Sequence, residues 1–164
     1  MSETKKKSIP RGQNHPVASG FKKVLVAFDG SDHAMKAFTV AEEQAKRYGA
    51  ELIVLNVVEL PVPYLVPKIA PVEISALREF VSKDAEAQVD KLARQAKDNG
   101  VNARGEVLDK GGSTVKLIVE YAEEEGVDLI VVGTRGLGGL RKMLLGSVSS
   151  GLVSHAHCQV LIVR

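Results

Sequence analysis

Lys23-Val24-Leu25-Val26-Ala27-Phe28-Asp29-Gly30-Ser31 is the stretch that decides the fold. Val24 to Phe28 is an unbroken apolar run without the alternation of a half-exposed strand, so it reads as a strand buried on both faces. Asp29-Gly30 breaks the run, and Ser31 can cap a helix. The apolar positions that follow, Ala34, Phe38, Ala41, Ala45 and Tyr48, recur at three- and four-residue spacing and predict one buried helical face. Lys46 and Arg47 suit the last turn of that helix, and Gly49 stops it.

The same unit repeats downstream. Leu52 to Val58 reads as a second buried strand. Residues 59–72 carry Pro61, Pro63, Pro67 and Pro71, which argue against regular structure. Val62, Tyr64, Leu65, Val66 and Ile69 make that segment apolar, so it is expected to border a pocket or a dimer seam. A long helix follows, with Ile74, Leu77, Val81, Ala85, Val89, Leu92 and Ala96 on one face and Asn99-Gly100 at its end. Ala103 to Leu108 is a weaker strand. It contains Arg104, Gly105 and Glu106, and its polarity suits a sheet edge. Ser113 can cap a third helix running to Glu125. The acidic run Glu123-Glu124-Glu125 opposes the helix dipole there and reads as a solvated face. Leu129-Ile130-Val131-Val132 is a fourth, strongly apolar strand. A glycine-rich loop, a short helix from Ser147 and the strand Val160-Leu161-Ile162-Val163 complete the chain.

Strands alternating with helices predict an α/β fold, a parallel sheet with helices on both faces and right-handed crossovers. The first and fourth strands are among the most apolar and belong in the centre, while the polar third belongs outside. A five-stranded Rossmann-like sheet in the order 3-2-1-4-5 satisfies both demands. The chain then reverses direction between strands one and four, and open α/β sheets bind ligands at such a switch point, beyond the carboxyl ends of the strands.

Size and composition narrow the function. The chain has 164 residues, enough for one domain with its own core. Residues 1–20 are polar, with Pro10, Gly12, Pro16 and Gly20, and read as a disordered tail ahead of one domain over residues 21–164. Cys158 is the single cysteine, which excludes a disulfide framework and suits a reducing compartment. A net charge of +2 and 4% aromatic residues do not suggest a nucleic-acid partner. No apolar run approaches the ~20 residues that span a bilayer. Lys5, Lys6 and Lys7 are not followed by the apolar stretch of a secretory signal. The cytoplasm is the expected location, with no membrane partner.

The chemistry concentrates in the two loops at the switch point. The second reads Gly133-Thr134-Arg135-Gly136-Leu137-Gly138-Gly139-Leu140-Arg141-Lys142-Met143-Leu144-Leu145-Gly146-Ser147. Glycines allow positive φ and close approach of a ligand to the backbone, whose N–H groups form an anion-binding nest. Ser147 opens a helix whose amino end favours phosphate, and Arg135, Arg141 and Lys142 add positive charge. A flexible connector ending in a helix cap is the plainer alternative, and the position at the switch point favours phosphate.

The spacing Gly133-x2-Gly136-x9-Gly146-Ser147 resembles the ATP-binding signature of the universal stress protein family. The likeness covers residues 22–164, from Lys22-Lys23-Val24-Leu25-Val26-Ala27-Phe28-Asp29-Gly30-Ser31 to Val160-Leu161-Ile162-Val163-Arg164. It implies the same sheet order and a dimer formed through the last strand. It also implies roles by position. Ala27 and Phe28 would line the adenosine pocket. Asp29 would hold the ribose or help to place Mg²⁺. Val57 would meet the adenine through its main chain, and Val132 would pack nearby. Gly133 and Gly136 would face ribose and phosphates, with Arg135 between them, and Gly146, Ser147, Val148 and Ser149 would bind phosphates. Gln159 departs from the proline common in the family after Cys158 and puts the local turn in question.

The remaining candidates are weaker. His155, His157 and Cys158 could form a metal cluster, but no second group of ligands accompanies them; two partly exposed histidines at a helix end are simpler. Cys158 reads as buried and inert. His33 falls near the crevice without a partner that sequence can identify as orienting it. The reading is therefore a dimeric, nucleotide-regulated stress-response protein that binds ATP, with no recognisable catalytic base. Slow ATP hydrolysis and a nucleotide-free, chaperone-like scaffold are the alternatives. An ATP-pyrophosphatase-like enzyme is disfavoured, because the first loop reads Asp29-Gly30-Ser31-Asp32.

Overall fold

The computed structural model describes residues 20–60, 71–136 and 145–164. The expected tail, the centre of the proline-rich segment, and Gly138, Gly139, Arg141 and Lys142 of the glycine loop lie outside the described residues. The elements are β1 (Lys23–Ala27), α1 (Asp32–Tyr48), β2 (Glu51–Val57), α2 (Pro71–Asp98), β3 (Ala103–Leu108), α3 (Thr114–Glu124), β4 (Leu129–Gly133), α4 (Ser147–His155) and β5 (Gln159–Val163). All strand pairs are parallel, and the order is β3-β2-β1-β4-β5, as expected.

Two apolar layers flank the sheet, and the period of two along each strand assigns side chains to them. Val24, Val26, Leu52 and Val54 pack on one side with Phe38 and Ala41 of α1 and Val89 and Leu92 of α2. Leu25, Ile53, Leu55 and Ile130 pack on the other side with Ile118 of α3 and Leu152 of α4. Each fully buried Leu or Ile contributes about 1.5–3 kcal/mol relative to an exposed one. Gly105 explains how a polar strand accepts a long helix. A β-carbon there would come within 2.8 Å of Val89 Cγ2 and 2.9 Å of the Val89 carbonyl carbon, so α2 lies directly on β3.

The caps follow local chemistry. Ser31 Oγ accepts the Ala34 N–H at 3.1 Å at the start of α1, and Gly49 closes it in the left-handed region at φ 65°. Ser113 caps α3. The proline-rich segment gives way to helix at Pro71, and proline suits a first helical position because the N–H it lacks would have no partner there. Gln159 is the first residue of β5, paired in register with Leu129. Among the described residues no helix is long and apolar enough to cross a membrane.

Two expectations are corrected. Tyr48 does not join the buried face of α1. It is 45% exposed and meets Phe21 edge to face, with ring centroids 5.1 Å apart. The acidic run is not simply a solvated face either. Glu125 sits at the amino end of the sheet, where its carboxylate accepts Lys23 Nζ at 3.1 Å and Arg104 Nη2 at 2.6 Å. Arg104 also binds Glu51 at 2.8 Å, Tyr121 Oη at 3.0 Å, and Glu106. Burial works against the Arg104 charge, but its bonds to Glu51, Tyr121 and Glu106 outweigh that and raise its pKa. The network ties β1, β2, β3 and α3 together at the end opposite the ligand crevice.

Candidate functional site

The carboxyl ends of β1, β2 and β4 open into a cavity of about 570 Å³, within the usual range for a small-ligand pocket. Ala27, Phe28, Asp29, Val57, Val132, Gly133, Arg135, Gly136, Gly146, Ser147, Val148 and Ser149 all line it. Residues separated by more than a hundred positions in sequence thus share one surface.

The first loop is built around Asp29. Its Oδ1 accepts the Ser31 N–H at 3.0 Å, an Asx-type turn, and Gly30 completes the turn with φ 84°. The carboxylate is thereby fixed at the mouth of the crevice. The second loop leaves β4 at Gly133. A β-carbon there would lie 2.8 Å from the His33 backbone, so α1 sits hard against this strand end.

Thr134 then acts as a junction. Its N–H donates to Val163 O at 2.8 Å, and its carbonyl accepts Gly146 N–H at 2.7 Å and Ser149 Oγ at 3.2 Å. Its hydroxyl lies 3.4 Å from His33 Nδ1. The buried Ser149 is held by these bonds at the start of α4.

Positive φ is not what the described glycines of this loop supply. Gly133, Gly136 and Gly146 all avoid the left-handed region. They are needed for close approach instead: Gly133 to His33, Gly136 to the Asp29 carboxylate, and Gly146 to Thr134 O, which a β-carbon would meet at 3.3 Å.

The electrostatics are polarised. Unlike α1 and α3, α4 begins without a side-chain cap, since Gly146 is its N-cap. The first N–H groups of a helix have no intrahelical partner and carry its positive dipole end. Ser147, Val148 and Ser149 bring that helix end to the cavity. Arg135 lines the same side, with its Nε buried and without a hydrogen-bond partner among the described residues. Glu59 and, from α2, Asp84 and Gln88 form a polar wall of the cavity. The helix end and Arg135 thus give the cavity a place suited to an anion.

Sequence reasoning left out Asn56, Glu59, Val81, Asp84, Ala85, Gln88 and Thr114, all of which line the cavity. Helical spacing puts Val81 and Ala85 on the apolar stripe of α2, and Asp84 and Gln88 flank that stripe. That neighbourhood was the available signal. Among the described residues no three potential metal ligands come together. His157 Nε2 lies 3.9 Å from Glu123. Cys158 is half-buried, where the sequence suggests a buried residue, and burial pushes its thiol pKa up.

The comparisons with known proteins agree with this architecture. The model of the universal stress protein family matches residues 20–164. A universal stress protein of Methanocaldococcus jannaschii is 34% identical over 144 residues, covering 88% of this chain and 82% of that one. Universal stress protein YxiE of Bacillus subtilis is 38% identical over 149 residues, covering 88% of this chain and 99% of that one. Among solved structures, UspA from Lactobacillus plantarum superposes with a TM-score of 0.76 at 29% identity, covering 88% of this chain and 99% of that one. A universal stress protein in complex with cAMP gives 0.66 at 26% identity, with 88% and 98% covered.

Proposed function

The chain belongs to the universal stress protein family, and from that premise we propose that it binds ATP with Mg²⁺ at the carboxyl end of its sheet and acts as a homodimer. The observation that carries the reading is the uncapped amino end of α4, which opens into the same cavity as Arg135 and Asp29. Backbone donors, a helix dipole and a guanidinium together favour a polyphosphate.

Ala27, Phe28, Val57 and Val132 supply apolar surface for a purine, and Gly133 and Gly136 leave room for the ribose and the first phosphate. Asp29 is the candidate metal contact. Mg²⁺ is commonly held by one or two carboxylates together with substrate phosphates and waters, so a single carboxylate beside the phosphate end fits the ion. The ion would neutralise charge on the phosphates there.

The dimer reading rests on β5. It is an edge strand of the sheet, with Leu161 36% exposed, and Val153 of α4 is 55% exposed. An apolar edge is normally covered or paired, and a second copy of the same strand would do so. Nucleotide occupancy would then bias one dimer state. Family membership supports a stress-response role, and the single cysteine suits a cytoplasmic location.

Mass spectrometry of the nucleotide retained on purification tests the reading directly. ATP or another adenine nucleotide at near one per chain is the expected result. A protein that retains none, and whose melting temperature does not respond to millimolar Mg-ATP, would refute it.

A further inference from the structure

β1 and β2 part company on the floor of the cavity. Their ladder runs in register from Lys23↔Glu51 to Ala27↔Leu55, and Phe28 N–H still donates to Leu55 O at 2.8 Å. The next bond of a parallel ladder would join Val57 N–H to Phe28 O. That backbone bond is not made. The Asn56 side chain donates to Phe28 O instead, Nδ2 to O at 2.8 Å.

On its other edge β2 continues undisturbed, with Val58 N–H donating to Leu108 O at 2.9 Å. In an extended strand one residue's N–H and C=O point to the same edge, and successive residues alternate edges. With Val58 committed to β3, Val57 turns both groups toward the place β1 has left. Phe28, Asn56 and Val57 all line the cavity there.

We propose that Asn56 is a positioning residue for the base of the bound nucleotide. By occupying the Phe28 carbonyl it stops the β1–β2 ladder one bond early and keeps the Val57 N–H and C=O open to a purine edge. This rests on the nucleotide reading above and adds the device that sets the base preference. One N–H beside one C=O complements adenine, which offers the N1 acceptor next to the 6-amino donor. Guanine and hypoxanthine offer an N1–H donor next to a carbonyl at those positions, so each would face its like. Mispaired groups of this kind discriminate strongly.

Asn56→Ala and the near-isosteric Asn56→Leu free the Phe28 carbonyl to recruit Val57 N–H. Two measurements follow on the full chain stripped of nucleotide, with thermal melts to confirm that each variant folds. In amide hydrogen exchange, Val57 should exchange faster than Leu55 in the wild type and become protected in both variants. In titrations with the Mg²⁺ complexes of ATP, ITP and GTP, ATP affinity should fall about tenfold while ITP and GTP change little, so that the preference for ATP collapses. A purely structural asparagine would weaken all three nucleotides alike and leave Val57 exchange unchanged; either result overturns the proposal. A wild type that binds none of the three overturns the nucleotide reading itself, and the base-positioning role falls with it. A wild type that prefers ATP beside variants that keep that preference overturns the role of Asn56 alone.

Discussion

Gly136 lies so close to Asp29 that a β-carbon at Gly136 would overlap Asp29 Oδ2. The two loops of the crevice are therefore packed against each other through a carboxylate and a missing side chain. Because Asp29 Oδ1 also holds the Ser31 N–H at the start of α1, moving the carboxylate disturbs the first helix as well.

Gly136→Ala should accordingly weaken Mg-ATP binding by about tenfold or more, through displacement of Asp29 as well as through crowding of the phosphates. Asp29→Ala should weaken binding while the protein still folds. The double variant should lose less than the sum of the two single losses, because the collision with Asp29 is removed and only the crowding of the phosphates remains. Residues in direct contact are expected to be non-additive in this way. Isothermal titration of the three variants checks it, and strictly additive losses would contradict the packing argument.

Saturating Mg-ATP at about 100 times its dissociation constant should stabilise the wild type by about 2.7 kcal/mol. For a chain of this size that raises the melting temperature by roughly 5–10 °C. Gly146→Val should abolish the rise, since its side chain enters the space before α4. The backbone φ of −72° at Gly146 is open to any residue, so the cost to the fold is confined to the 3.3 Å approach of the β-carbon to Thr134 O, which the melt without nucleotide reads separately. Ser147→Ala should keep most of the rise, because the backbone donors of α4 remain. Melts with and without nucleotide on stripped protein provide the test.

Gly133→Ala addresses the core side of the crevice. Its β-carbon would lie 2.8 Å from His33 C and Cβ and 2.9 Å from His33 O, and main chain cannot move aside as a flexible side chain can. A loss of about 1–3 kcal/mol is expected, typical of overpacking. Urea unfolding would show it as a lower midpoint with an unchanged slope.

The Glu125 network makes a pH prediction. The hydrogen bond from Lys23, with the Arg104 and Lys23 charges assisting, holds the Glu125 pKa below its ordinary value of 4.5. A carboxylate with a depressed folded-state pKa adds stability that is fully present above the unfolded value and is lost as pH falls through the folded one. Glu125→Gln should therefore lower stability at pH 7 by no more than about 1 kcal/mol, since these groups stay partly exposed. The gap between variant and wild type should close as pH drops below 4.5. Denaturation curves at pH 7 and across the acid range test both the size and the sign.

Removal of residues 160–164 should convert dimers into monomers or aggregates, because it strips most of β5 from the edge of the sheet. Sedimentation velocity at micromolar concentration separates these species. A full-length chain that sediments as a stable monomer would remove the basis for this prediction.

The elements were legible because parallel strands buried on both faces are written as short apolar runs. Val24 to Phe28 and Leu129 to Val132 could hardly be read otherwise. The polarity of Arg104, Gly105 and Glu106 placed β3 at an edge, and the observed order agrees. Tyr48 misled because helical spacing marks a face without saying where that face stops being covered. The β2 boundaries fell one residue early, at Glu51 and Val57, since pairing with β1 at Lys23↔Glu51 and with β3 at Val57↔Leu108, and not the apolar run, sets where the strand begins and ends.

By itself the sequence determined the alternation of strands and helices, the switch point and the glycine loop beside it. Each of these is encoded in short-range periodicity, in capping residues or in motif spacing. Tertiary structure alone decided that Asn56 would take the Phe28 carbonyl, that Asp84 and Gln88 of α2 would wall the cavity, and that Gly136 is glycine for the sake of Asp29. It also turned Glu125 from a charge on a helix end into a partner of Lys23 and Arg104, 102 and 21 positions away. Propensity and periodicity act over a few residues. Which side chain meets which carbonyl or carboxylate across the sheet is fixed only when the crossovers bring strand ends from distant parts of the chain into register.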